Sequence, residues 1–148
     1  MLAFFSRVQP YGQSAVLLSL RLLFGALLAQ GGLGKLNNFE RIVGFYEHLG
    51  LWAPEAMVYI IGGGELLGGI ALILGFATRA ASAGLAIIMV GALFTAHFEE
   101  AFMSMEGFVN QAPTPYLIAT LVIFVFGAGM VSVDRWLGSM WNRFRSQS

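Results

Sequence analysis

The sequence predicts an all-α integral membrane protein, with four transmembrane helices in an up-down bundle and a short amphipathic interfacial helix between spans one and two. Three observations carry this reading. Of 148 residues, 57% are hydrophobic and 11% charged, with a mean hydropathy of +0.75, whereas a soluble domain carries about 25% charged residues. Four long apolar stretches divide the chain, and the charges between them differ in sign from one side to the other. Abundant apolar residues and glycine without a period of three exclude disordered and collagenous chains. The absence of cysteine removes disulfide scaffolds, thiol catalysis, thiolate metal sites and iron–sulfur clusters.

The whole chain, 1–148, reads as one membrane domain. The spans fall at about 14–36, 54–76, 80–98 and 113–133, each long enough at ~1.5 Å rise per residue to cross roughly 30 Å of hydrocarbon. The first is a retained span and not a secretory signal, since Arg21 interrupts it, no Ala-x-Ala site follows, and it exceeds an h-region. Between spans one and two, Asn38 is placed as an N-cap and Gly50 as a C′ residue. Phe39, Ile42, Val43, Tyr46 and Leu49 repeat at three and four, so the segment 38–50 is read as a helix on the outer membrane surface. Only Ala77-Thr78-Arg79 separates spans two and three. The connection from Glu99 to Ala112 is acidic and rich in Phe and Met.

Four spans place both termini on one side with that tight turn. Arg7, Arg79, Arg135, Arg143 and Arg145 lie there against Asp134, while the other side holds Lys35 and Arg41 against Glu40, Glu47, Glu55, Glu99, Glu100 and Glu106. The cation excess puts both termini in the cytoplasm. Trp52, Tyr59, Tyr116, Trp136 and Trp141 fall near span ends, where an aromatic belt belongs. The arginines are orientation signals without interleaved stacking aromatics, so no nucleic-acid partner is read.

Arg21 and Glu65 are charges at membrane depth, expensive unless paired or hydrated. Counted from the cytoplasmic ends of their spans they differ by roughly 5 Å in depth, which predicts a buried polar pair. It either lines a ligand cavity or locks two helices together; the remaining alternative has Arg21 snorkelling while Glu65 stays protonated. The run Gly62-Gly63-Gly64-Glu65-Leu66-Leu67-Gly68-Gly69 lacks the strand and the Lys-Ser/Thr of a phosphate loop. Gly64 and Gly68 form a small-xxx-small pair, and Gly62, Glu65 and Gly69 share a neighbouring face. Lys35 lies on nearly the same face of span one as Arg21. Lys35, Gly62, Gly69 and His97 are the candidate lining of a cavity, with Lys35 alternatively an outer-interface residue. An imidazole near a quinol head group accepts a hydrogen bond or a proton, the role read for His97; a structural histidine is the alternative. Met103 and Met105 give the same region a soft-metal flavour that suits Cu(I), but without Cys or a second His no metal is assigned.

Several segments resemble the DoxX family of bacterial inner-membrane proteins. They are Leu20-Arg21-Leu22-Leu23-Phe24-Gly25 with Gly34-Lys35-Leu36, then Gly44-Phe45-Tyr46-Glu47-His48-Leu49-Gly50-Leu51, then Gly64-Glu65-Leu66-Leu67-Gly68-Gly69 running on to Thr78-Arg79, then Leu93-Phe94-Thr95-Ala96-His97-Phe98 with Phe102-Met103, and Ser132-Val133-Asp134. The resemblance covers about 15 to 135. It implies a four-helix membrane bundle of the inner membrane, tied to respiratory or redox systems such as quinol oxidases and thiosulfate:quinone oxidoreductases. Family members often carry an acidic residue entering the fourth span, where this chain reads Pro113-Thr114-Pro115-Tyr116.

The function expected is therefore a membrane subunit of a redox oxidoreductase system that meets quinone or quinol in a buried polar cavity. The chain alone is not read as a complete enzyme. Haem is not expected, because His48 and His97 both lie on the outer side and no covalent attachment motif exists without Cys. The expected partners are the bilayer and a second subunit or a further copy of the chain. The alternatives are a non-catalytic assembly or anchoring subunit, and a small metal- or solute-handling membrane protein.

Overall fold

The computed structural model describes the backbone of residues 2–145 and the side chains of 9–140, Arg143 and Arg145. The side chains of Arg7 and Trp141, used above for topology and belt, lie outside the described residues, as does Ser148. Every described element is helical: α1 Leu2–Asn37, α2 Phe39–His48, α3 Pro54–Leu74, α4 Thr78–Ala96, α5 Phe98–Met103, α6 Met105–Asn110, α7 Pro113–Phe126 and α8 Val133–Arg145. Among the described residues, three helices are long and apolar enough to cross a membrane: Gln9–Asn37, Pro54–Leu74 and Thr78–Ala96.

Glycines set how these helices pack. A Cβ at Gly25 would sit 2.8 Å from Gly69 O, and one at Gly69 would sit 2.6 Å from Ala29 N, so α1 and α3 touch backbone to backbone. Gly62 meets Gly32 and Leu36 on the same side. Gly64 and Gly68 turn instead to α4, where added Cβ atoms would meet Ile88 Cδ1 and Leu85 Cγ at 2.9 Å. One glycine-rich stretch thus gives α3 two flat faces, and α3 sits between α1 and α4, with α7 packed on α4 and touching α1. Leu28, Leu72, Leu85, Met89 and Ile123 fill the core between them.

Helix ends follow capping chemistry. At the end of α2, Gly50 takes φ +72, its N–H bonds Glu47 O, and Leu51 N bonds Tyr46 O. At the end of α3, Gly75 takes φ +69 with the same pair of bonds to Leu72 O and Ala71 O. Both are Schellman motifs. Asn38 differs from its expected role: its Nδ2 donates to Gly34 O at 2.8 Å and caps the end of α1, not the start of α2. Val43 and Tyr46 bury α2 against Val58 of α3. The acidic connection from Glu99 to Ala112 is built of two short helices, α5 and α6, with Ser104 Oγ accepting from Gly107 N at 2.9 Å.

The fourth apolar stretch is not one helix over 113–133. The α7 helix ends at Phe126 after 14 residues, about 21 Å, because Gly127 and Gly129 take φ +79 and +75. The chain then turns into α8; the sequence reading ran the unwound segment 127–132 into the span and placed no helix after it. Ser132 Oγ accepts from Arg135 N at 3.2 Å and caps the new helix.

Candidate functional site

The α1–α3 register decides which ionisable groups meet. Gly25 lies level with Gly69, and Gly32 with Gly62, so Arg21 lies level with the end of α3 and Lys35 lies within a turn or so of Glu65. Depth counted from apolar boundaries misses this, since α1 extends well past the C-terminal end of α3.

Arg21 and Glu65 are both buried, at 1% and 5% exposure, yet they do not pair. Arg21 Nε donates to Leu72 O at 2.8 Å, Nη2 to Ile73 O at 3.2 Å, and Nη1 to Val131 O at 2.9 Å and to Ala128 O. Backbone carbonyls satisfy this cation: two from the last turn of α3, where the helix dipole also favours positive charge, and two from the unwound segment after α7. The break in the fourth apolar stretch supplies two of these acceptors. The guanidinium satisfies carbonyls of this irregular backbone that no helix ladder pairs. Arg21 is thus a structural cation that ties α1, α3 and the α7–α8 connection together.

Glu65 pairs with Lys35 of α1, Nζ donating to Oε2. The carboxylate is 6% exposed and the lysine 29%, so the lysine stem reaches inward from a wetter position. The neighbouring Gly31 leaves space: a Cβ there would lie 3.6 Å from Glu65 Oε2. Both members of the pair line a cavity of about 550 Å³. Its walls are otherwise mainly apolar, drawn from α1, α2, α3, α4 and α7, with Leu28, Ile61, Ile88 and Met89 among them. The polar residues on its wall are Lys35, Glu65, Tyr46, Thr95, His97 and Tyr116. Burial pushes the Tyr46 phenol above its ordinary pKa, and the Glu65 charge adds to the shift, so Tyr46 offers a neutral hydroxyl beside the pair.

Of the predicted lining, Lys35 and His97 lie on the cavity wall. Gly62 and Gly69 do not, because both are consumed in the α1–α3 contact. Met103 and Met105 are 83% and 82% exposed, and neither lines the cavity. No group of three or more His, Asp or Glu residues is placed to hold a metal among the described residues. Sequence reasoning missed Gly31, Thr95 and Tyr116 as wall residues. Gly31 was findable, since it precedes Lys35 by four residues and so shares its helix face. Tyr46 was visible in the apolar stripe of α2 but not as a wall residue of the cavity that holds Glu65, a placement made by tertiary packing.

Chemically, the site offers an apolar chamber with a buried carboxylate–ammonium pair at one point on its wall. Such a chamber favours an amphiphile with a hydrogen-bonding head and an apolar body. Three comparisons bear on it. The family described as DoxX matches residues 16–98, more than half of the chain. A curated protein of Bacillus subtilis (strain 168), described as "Putative oxidoreductase CatD", is 33% identical over 91 residues, which is 62% of this chain and 66% of the relative, just under two thirds of its length. No solved structure gives a significant match.

Proposed function

The chain belongs to the DoxX family, and from this premise we propose that it is a redox-associated membrane subunit that takes a quinone or quinol into the cavity beside Lys35 and Glu65. The observation that carries the reading is the cavity itself. At about 550 Å³ it falls inside the ~300–1,000 Å³ range of small-molecule sites. Its apolar walls suit a lipophilic ring and tail. The ammonium of Lys35 and the imidazole of His97 suit the carbonyl or hydroxyl oxygens of a head group. The oxidoreductase description of the Bacillus relative supports the redox class. Quinone supplies two-electron, two-proton chemistry when bound; the residues here bind and orient it and hold a proton at the Glu65 carboxylate, the Lys35 amine or the His97 ring.

In this reading the protein is a single four-span domain over 1–148 in the bacterial inner membrane. The α7 helix and the segment after it form the fourth crossing, α2 lies at the outer interface, and both termini are cytoplasmic. The electron acceptor or donor resides on a partner subunit, since the chain has no Cys and two histidines.

Titration of the purified protein with a short-chain ubiquinone analogue, followed by thermal shift, tests the proposal. Saturable stabilisation is expected, of about 2.7 kcal/mol at 100 times Kd. Gly31→Val should fill the cavity next to Glu65 and abolish the shift, while His97→Ala should weaken binding about ten-fold by removing one hydrogen bond. A native protein that purifies intact and shows no saturable shift with any quinone sinks the ligand reading and leaves the assembly subunit.

A further inference from the structure

The cavity does not use α8, and the bundle barely does. This helix, Val133–Arg145, forms no packed interface with another helix among the described residues. Its apolar residues Val133, Trp136, Leu137 and Met140 recur at i, i+3, i+4 and i+7, one stripe of a helix. Trp136 is 61% exposed, Leu137 43% and Met140 36%. The remaining arc carries Arg135, Arg143 and Arg145. The stripe therefore needs a cover, and its position in the fold indicates which.

The first turn of α8 is held at the boundary of the membrane-spanning region. Asp134 N donates to Gly75 O at 2.9 Å, while its carboxylate accepts from Ala77 N at 2.7 Å and Thr78 N at 2.9 Å. These are the residues that join α3 to α4. Those helices have 21 and 19 residues and are both long and apolar enough to cross, so a turn this short between them lies where the chain leaves the hydrocarbon. Asp134 spends its charge on the N-terminus of α4, where a carboxylate is favoured by the exposed N–H groups and the helix dipole. Arg135 stands exposed on the arc opposite the stripe. An amphipathic helix at the membrane boundary, with an apolar stripe holding tryptophan and a polar arc holding arginine, complements an anionic leaflet on both counts.

We propose that α8 is a membrane-surface helix whose apolar stripe enters the headgroup region of an anionic leaflet, with Asp134 as the hinge that sets its level. The complementary partner is a phospholipid surface of net negative charge. Arg135, on the exposed arc, pairs with phosphate, while Trp136 sits at headgroup depth.

The test uses the full chain in vesicles. Of the three tryptophans, Trp52 and Trp141 are changed to Phe, leaving Trp136 as the probe. The protein is reconstituted in phosphatidylcholine alone or with about one third phosphatidylglycerol, each carrying bromine on the upper acyl chain. Expected are a blue-shifted Trp136 emission and bromine quenching that is stronger with phosphatidylglycerol and falls to the phosphatidylcholine level in 1 M salt. At about five-fold per unit of charge, Arg135→Glu should cut the docked-to-undocked ratio roughly 25-fold in the anionic vesicles. Water-like, unquenched emission in both vesicles overturns the proposal. So does quenching of equal strength in the two compositions, which would mark a purely apolar contact. Shielding from lipid bromine that grows with protein density would instead assign the stripe to a second copy, and also overturns it.

Discussion

The most exacting consequence of the structure is that Glu65 couples to Lys35 and not to Arg21. Take two double-mutant cycles, Glu65→Gln with Lys35→Gln and Glu65→Gln with Arg21→Gln. Arg21 bonds the carbonyls of Leu72 and Ile73, seven and eight residues beyond Glu65 on α3, which is about 10–12 Å along the helix. At that separation single losses add within ~0.3–0.5 kcal/mol. Lys35 and Glu65 are in contact. At an effective dielectric of 20, unit charges about 4 Å apart attract by ~4 kcal/mol. The partial exposure of Lys35 reduces this, so the expected coupling is about 1–3 kcal/mol. The assay is reversible unfolding in mixed micelles, read by helicity. Arg21→Gln alone should be a severe lesion, since it strips the charged donor from four carbonyls, each costing about 1–3 kcal/mol where it stays buried without a donor. A coupling above ~1 kcal/mol between Arg21 and Glu65, or one within error of zero between Lys35 and Glu65, would refute the assignment.

Three further outcomes follow from the packing. Gly69→Ala should destabilise by about 1–3 kcal/mol by forcing a Cβ into the α1 backbone, whereas Gly63→Ala, with nothing within 4 Å of the added Cβ, should gain ~0.5–1 kcal/mol of helix propensity; the same micelle unfolding assay compares them. Asp134→Ala should cost about 1–2 kcal/mol through loss of the cap on α4 and should raise hydrogen exchange at Ala77 and Thr78 ahead of the rest of the bundle. Cysteine at Ser104 should be labelled only from outside the cell and cysteine at Ser139 only from the cytoplasm; the reverse pattern would invert the topology.

Membrane character and the extent of α2, α3 and α4 were legible because each is written locally, in runs of apolar residues, in a period of three and four, and in glycines where a helix must stop. The site was legible in its residue types: Lys35, Glu65 and His97 were singled out as polar groups among apolar ones. Their partners were not. Arg21 and Glu65 looked like a pair because each was a charge in need of compensation, and a carboxylate is the compensation a sequence displays. Arg21 found carbonyls instead, and every residue has one, so no side chain marked them.

What the sequence by itself determined was that this chain enters a membrane, where α2, α3 and α4 begin and end to within a few residues, and which ionisable groups are taken into it. Composition and periodicity suffice for that, since hydrocarbon admits only backbone whose hydrogen bonds close within the segment. What only the tertiary structure decided was the register of α1 on α3, and with it the Lys35–Glu65 pair, the loss of Gly62 and Gly69 to packing, and the unwinding after Phe126 that feeds Arg21. A helix longer than the bilayer is thick carries no internal mark of its depth. Its level is set by the contact with the tightest tolerance, here backbone against backbone at Gly25 and Gly69, and each charge then takes the nearest acceptor that this register brings to it.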